Sequence, residues 1–366
     1  MNNQILSNLY FRQSMINDYL TCPQMFLYRW ILNVEQETSW FAAFLGSAGH
    51  HVISNIHKEH KFDYDFMDIL GQFESAFNEI VEEADEDPRI STNFNSVQEQ
   101  LEAESTQYTN LILEYQKDER NFNFHSVINE QSFVLPIQIN GEDTLFTGTV
   151  DQAGYYNDGT FALRDLKFRD SAFKPSKVEL DINIQLTVYA NALKYGNPSC
   201  LHCKPEISQN GKLQYSGPCS SCIRKIGTKY WPRKYPYRCE LIWMKDYEKY
   251  KKDQYIHKIK DPKKIKEYNP ATGRNVIRTI VNPKWEEGYK KGDRKGRVFL
   301  STVRTPEHIE VLMKDVEGVI KAMRNGIFYR KPGSHCASWC QYKDTCVDAK
   351  NIEVNELKEL KDYPYE

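Results

Sequence analysis

The sequence contains no apolar run long enough to cross a bilayer, and Met1–Phe11 has no basic stretch followed by an apolar one. Neither a membrane-spanning protein nor a signal-bearing secreted one is expected; the expected location is the cytoplasm, that of a host cell if the gene is viral. There is no P-loop, so any unwinding of nucleic acid must come from another subunit. There is no internal repeat. Nor is there a large net charge: 48 Lys and Arg against 50 Asp and Glu leave −2, which says nothing by itself about a polyanionic partner. An even cysteine count is missing too. Nine cysteines without a leader segment argue against a disulfide framework and for metal ligation.

What is present is a chain of 366 residues, enough for one large domain or two ordinary ones, with 40% hydrophobic and 27% charged residues as in a soluble globular protein. Its charge is unevenly placed. Residues 63–119 hold 16 acidic residues against Arg89 and Lys117, whereas residues 241–300 hold 17 Lys and Arg against 8 Asp and Glu. Such asymmetry suits either a surface that meets a polyanion or two differently solvated faces.

Periodicity predicts an amphipathic helix opening at Ser14, with Ser14 as its cap, and helices over Trp40–His60, Asp65–Ala84 and Ser96–Gln116. The pattern then turns strand-like over Ser126–Ile137, Thr144–Tyr156 and Thr160–Phe168, with hairpin signals at Asn140-Gly141 and Asn157-Asp158-Gly159. Asp181–Tyr195 reads as a helix, and Arg238–Met244 and Arg297–Val303 as strands, with Cys239 buried. The Lys-rich stretch Lys245–Lys295 reads as irregular. Thr305-Pro306-Glu307 caps a last helix running to about Asn325. The expected class is α/β, an α+β core with large decorations. The expected segments are a helical region at 1–123, core strands and a helix at 124–197, an insert at 198–296, and a C-terminal strand, helix and Cys-rich segment at 297–366.

Two short runs carry chemistry. Asp151 closes Gly148-Thr149-Val150-Asp151, and Asp165 and Lys167 share one face of the next strand. Two carboxylates make a hard oxygen site for Mg²⁺ or Mn²⁺, and a lysine beside them can orient or help deprotonate an attacking water and offset phosphate charge. Asp-x-Lys alone is a weak signal, since a surface charge pair is commoner.

The order of further motifs strengthens it. Gly46-Ser47-Ala48-Gly49-His50, then Glu130, then Asp151, then Asp165-Leu166-Lys167, then Gln185 and Tyr189 at i and i+4 form an ordered series. The series resembles the PD-(D/E)XK nucleases of the RecB/AddB type and the related CRISPR-associated nucleases, over roughly residues 14–60, 125–195 and 297–346. That resemblance implies a restriction-endonuclease-like core and a metal-dependent DNase, with an exonuclease on single strands or duplex ends as the expected form. It implies His50, Asp151 and Asp165 as Mg²⁺ or Mn²⁺ ligands, and Glu130, Lys167, Gln185 and Tyr189 as further catalytic residues. Periodicity leaves His50 and His51 undecided; the resemblance selects His50. It also implies DNA as partner, and a helicase or a recombination, replication or CRISPR-adaptation complex as further company. The other reading is a non-catalytic or partner-dependent nucleic-acid-binding subunit that keeps this fold.

The cysteines fall into two groups. In iron–sulfur members of the family one N-terminal and three C-terminal cysteines bind a 4Fe–4S cluster, which implies Cys22, Cys336, Cys340 and Cys346 here. The family usually separates the first two C-terminal cysteines by two residues; here there are three, and zinc is the competing metal. The second group, Cys200-x₂-Cys203 and Cys219-x₂-Cys222, fits a structural zinc template directly. After it, Arg224, Lys225, Tyr230, Trp231 and Arg233 suit either core packing or a basic–aromatic surface that stacks bases and tracks phosphates.

Overall fold

The computed structural model of the chain describes residues 10–32, 34, 41–84, 90, 94–168, 177–200, 203, 206–207, 213–214, 217–220, 231–244, 263–269, 274–280, 297–333, 335–336, 340, 342 and 345–346. The chain enters through β1 (Phe11–Arg12) and passes straight into α1 (Gln13–Thr21). Arg12 therefore takes the cap position, without a side-chain cap bond, and Ser14, the expected cap, lies inside the first turn. α2 (Pro23–Phe26) runs on as a π-helical turn at Leu27–Ile31. α3 (Phe41–Glu59), α4 (Phe66–Ala84) and α5 (Val97–Gln116) fill the predicted helical stretches, and Ser96 caps α5 by accepting the Glu99 N–H at 3.1 Å. α6 (Glu119–Phe122) leads into the sheet.

Asn140 and Gly141 both adopt positive φ, 55° and 79°, as a two-residue hairpin turn requires. They join β2 (Phe124–Ile139) to β3 (Glu142–Tyr156), which pair antiparallel along their full length; β4 (Phe161–Phe168) follows. Downstream lie β5 (Asn197–Pro198), β8 (Arg238–Met244) and β11 (Arg297–Val303), and two small hairpins, β6 (Glu206–Ile207) with β7 (Leu213–Gln214) and β9 (Lys263–Asn269) with β10 (Arg274–Ile280). The β9–β10 hairpin corrects the expectation of irregular chain over Lys245–Lys295. The central sheet runs β11-β8-β4-β3-β2-β5, with β1 also on β3. It is mixed, because β4 pairs parallel with β8, and β1 with β3. β8 lies inside the segment expected to be an insert, so the core reaches into that segment.

The helix predicted over Asp181–Tyr195 is broken into α7 (Lys177–Asp181) and α8 (Ile184–Tyr195). Asn183 takes an extended ψ of 117° between them, and its side chain caps α8 through the Leu186 N–H at 2.9 Å. The last helix, α9 (Pro306–Arg324), starts at Thr305-Pro306 as the sequence predicts, with the Thr305 hydroxyl accepting from His308 N–H.

Helices cover both faces of the sheet. Phe41, Val52, Phe73, Leu101 and Tyr115 from α3, α4 and α5 pack with Leu166, Phe168, Ile242 and Met244. Met15, Leu186, Tyr189 and Val316 from α1, α8 and α9 pack with Leu163, Phe161 and Leu241. β4 is consequently buried at every position but one, as a strand covered on both sides must be. The predicted α/β core with helical decoration is the fold observed.

Candidate active site

The site begins with a gap in the sheet. β4 pairs with β3 only from Tyr155↔Phe161 to Gln152↔Arg164, and β1 takes the same edge of β3 at Phe146 and Thr147. Between them, at Gly148–Asp151, β3 has neither partner. Asp151 stands at the mouth of this gap, and its Oδ2 accepts the Leu166 N–H of β4 at 2.8 Å. A carboxylate placed there is reachable from either face of the sheet.

From one face comes His50 of α3. Its Nδ1 lies 2.9 Å from Glu130 Oε1 and 3.6 Å from Asp151 Oδ2. Gly49 makes this approach possible: a Cβ there would lie 2.7 Å from the Phe168 ring, whereas Gly46 has open space around it. His51 is exposed. Glu130 stands opposite Asp151, between the pairs Asn129↔Gln152 and Gln131↔Val150, and has a left-handed φ of 45°. That conformation costs a non-glycine residue on the order of 1 kcal/mol or more and persists only where its surroundings hold it.

Asp165 and Lys167 project from β4 toward the other face. Asp165 is fully buried; Lys167 is 24% exposed and donates to Asp165 Oδ1 at 2.8 Å. The second Asp165 oxygen, Oδ2, is buried without a hydrogen-bond partner. Above them on α8, Gln185 Nε2 donates to the Tyr189 hydroxyl at 3.0 Å. Gly148 leaves room for this helix, since a Cβ would lie 3.4 Å from the Tyr189 ring and 3.0 Å from Phe133.

The electrostatics mark these groups as a coupled acidic centre. Burial would lower the His50 imidazole, but the charges of Asp151 and Glu130 outweigh it and push it up to about 9. Burial raises Asp151 against the opposing charge of His50. Asp165 is pushed up to about 6 by burial, with Lys167 opposing and Asp151 adding to the rise. Burial and the same two aspartates raise the Tyr189 hydroxyl well above its ordinary range. The aspartate charges are costly where they stand, and the His50 charge offsets part of that cost.

These residues fit a divalent cation. His50, Glu130 and Asp151 offer ligand atoms all within 4.8 Å of one another, one imidazole nitrogen with carboxylate oxygens. Asp165, expected as a ligand, stands outside that triad but has an unpartnered buried oxygen and feels the Asp151 charge. Of the two carboxylates beside His50, Glu130 is the nearer.

The structure also gathers cysteines. Cys200 Sγ lies 3.7 Å from Cys203 Sγ and 3.5 Å from Cys219 Sγ; Cys222 falls outside the described residues. At the chain ends, Cys22, Cys340 and Cys346 pack around Tyr28 and Tyr342. Burial raises the Cys340 thiol, and the neighbouring Cys336, Cys22 and Cys346 raise it further. The basic–aromatic group is divided. Arg224, Lys225 and Tyr230 lie outside the described residues. Trp231 is 2% exposed with its indole donating to Ala192 O at 3.0 Å, so it packs against α8 and cannot serve as a base-stacking surface. Arg233 grips the turn after α8, through Gly196 O and Asn197 Oδ1.

A mixed sheet covered by helices, with carboxylates, a lysine and a histidine gathered at a gap between strands, defines the restriction-endonuclease-like class of metal-dependent phosphodiesterases. The family model described as "PD-(D/E)XK nuclease superfamily" matches residues 11–347, and the chain belongs to that superfamily. A comparison with curated proteins finds no match.

Proposed function

We propose that the protein is a deoxyribonuclease of the RecB/AddB-like branch, hydrolysing phosphodiesters in single-stranded DNA or at duplex ends. The observation that carries this reading is the convergence of His50, Glu130, Asp151, Asp165 and Lys167 on one gap in the sheet. His50, Glu130, Asp151 and Asp165 would hold Mg²⁺ or Mn²⁺, which when bound lowers the pKa of coordinated water and polarises a phosphoryl oxygen. Lys167 donates to Asp165, and from there it orients the attacking water and offsets the phosphate. Gln185 and Tyr189 wall the same side and position the scissile strand.

The route to the site favours a polyanion. β8 ends and β11 begins at the same end of the sheet as Lys167, in the pairs Lys167↔Trp243 and Arg297↔Met244. The 52 residues between them, 245–296, carry 16 Lys and Arg against 8 Asp and Glu, leaving 32 against 42 in the rest of the chain. A segment of that charge, leaving and rejoining the sheet at the Lys167 end, suits a polyanionic partner.

The two cysteine sets suit different metals. A tetrahedral zinc with Zn–S of about 2.3 Å sets its sulfurs about 3.8 Å apart, close to the Cys200 distances. Among the described residues, the ligand triads within 4.8 Å are this one and His50–Glu130–Asp151. The looser Cys22, Cys336, Cys340 and Cys346 set suits a 4Fe–4S cube, whose thiolates stand farther apart than those of a single ion, and it would tie the chain ends together.

Labelled single-stranded, end-blocked linear and circular DNA, each incubated with the purified chain and Mg²⁺ or Mn²⁺, test the activity. Cutting of free ends and single strands is expected, reduced about a thousand-fold or more by Asp165→Ala or Lys167→Ala. Cutting that survives both substitutions defeats the reading, and cutting of circles makes the enzyme an endonuclease. Anaerobically purified protein is expected to be brown; colourless protein with two zincs per chain defeats the cluster.

A further inference from the structure

Glu130 holds a strained conformation at the centre of the site, and the structure shows what grips the chain beside it. β5 is an edge strand of two residues, paired with β2 through Phe133↔Pro198 and Val134↔Asn197. The register continues one residue further as a clip. Ser199 N–H donates to Ser132 O at 2.9 Å, and the Gln131 side-chain amide donates to both Ser132 O and Ser199 O at 2.8 Å. Ser199 is buried, and the Ser132 hydroxyl pairs with Thr149 Oγ1 of β3 at 3.1 Å. Ser199 is followed directly by Cys200, whose sulfur lies 3.5–3.7 Å from those of Cys203 and Cys219. The cysteine knuckle thus hangs from the Gln131 side chain and the Ser132 backbone, the two residues after Glu130.

We propose that Gln131 is a positioning residue that joins the cysteine knuckle to Glu130, so that zinc in the knuckle sets how tightly the active centre holds its divalent cation. The proposal rests on reading Glu130 as a ligand of that centre. On the β3 side, Asn129 and Gln131 are fixed by the ladder. On the outer edge, the clip fixes Gln131 and Ser132, and its far end is the residue next to Cys200. A zinc-filled knuckle stiffens that end. Without the clip, Glu130 can relax toward extended φ, which draws its carboxylate away from His50 and Asp151. Groups that orient a ligand from behind typically change metal affinity 10- to 100-fold when removed.

The test is Mn²⁺ binding by the full chain without DNA, titrated by electron paramagnetic resonance, with zinc content and Tm measured on the same samples. Gln131→Ala is expected to raise the Mn²⁺ Kd about ten-fold while zinc content and Tm stay at wild-type values. Gln131→Lys, which restores a donor, is expected to recover part of that loss. Cys219→Ser is expected to lose zinc and weaken Mn²⁺ binding similarly, and the double variant to add nothing further, since both act through one clip. A Gln131→Ala Kd within about two-fold of wild type, or additive effects in the double variant, overturns the coupling. Glu130→Gln separates the two readings. If it weakens Mn²⁺ binding while Gln131→Ala does not, the coupling alone fails. If it leaves binding unchanged, both the coupling and the role of Glu130 in the centre fail.

Discussion

Arg164 and Asp165 are neighbours on β4, both fully buried and both charged, yet their surroundings differ in kind. Arg164 places four N–H donors on Glu240 Oε2, Asn121 Oδ1, Arg120 O and the Tyr156 hydroxyl, at 2.6–3.2 Å, and its guanidinium lies 3.7 Å over the Phe124 ring. Asp165 has one lysine and a bare second oxygen. Successive strand residues point to opposite faces, so one strand serves both environments. A buried charge whose bonds are made holds structure. One left incomplete, beside other carboxylates, is a place for a ligand. The same contrast recurs on α3, where His50 is pushed up to about 9 among carboxylates and His57, two turns on, is lowered to about 3 by burial, with the Arg164 and His60 charges adding.

If the contrast holds, removing Arg164 is a folding lesion first. Arg164→Met strips the buried Glu240 of its nearest cation, leaving it the Tyr156 hydroxyl and Arg238 at 3.7 Å, and is expected to cost about 3–5 kcal/mol, lowering Tm by about 10 °C. Mn²⁺ affinity of the molecules that remain folded should stay near wild type. Thermal melts and Mn²⁺ titration of one preparation decide it: an unchanged Tm with lost metal binding would show that Arg164 belongs to the catalytic side.

Asp165→Asn should do the reverse. Its carboxyl has a folded pKa of about 6, above the unfolded value, so its ionisation weakens the fold as pH rises from about 4 through 6. At pH 7 the asparagine is expected to stabilise the metal-free protein by about 1–2 kcal/mol, after allowing for the lost Lys167 pair. It should also shrink the Tm gain that Mn²⁺ gives the wild type. A variant less stable than wild type without metal would place Asp165 among the structural charges.

The two regions differed in how legible they were. The fold class, the β2–β3–β4 meander and the helices α3 to α5 follow from local periodicity and from caps such as Ser96. The β9–β10 hairpin did not, because Lys and Arg at five of its fourteen strand positions blur a period-2 pattern. The candidate site was readable from residue type and spacing at Asp151, Asp165 and Lys167, and from the family resemblance at His50. What local sequence does not encode is which residues lean on them. Glu130 owes its place to a left-handed backbone, Gly49 matters because Phe168 arrives from a distant strand, and three of the Arg164 bonds reach residues 43–76 positions away. The basic–aromatic reading misplaced Trp231, since an aromatic beside lysines looks the same whether it meets solvent or the back of a helix.

His57 gives the smallest and most specific test of the contrast. It is buried, its Nε2 lies 2.7 Å from the Tyr115 hydroxyl, and Tyr115 in turn donates to Gln152 at 3.3 Å. With a folded pKa near 3 and an unfolded one of about 6.5, the unfolded chain takes up the proton first. Stability from this group is therefore complete above pH 6.5 and is lost as pH falls from 6.5 toward 3. His57→Gln removes the titration and keeps a polar group for Tyr115. Between pH 7 and pH 6 the wild type should lose somewhat less than about 1 kcal/mol more than the variant, and the difference should widen toward pH 5. Urea denaturation curves of both proteins across that range measure it. Parallel stability profiles would mean that His57 gains a proton in the folded state as easily as in the unfolded one, and His50 and His57 would no longer stand on opposite sides of the comparison.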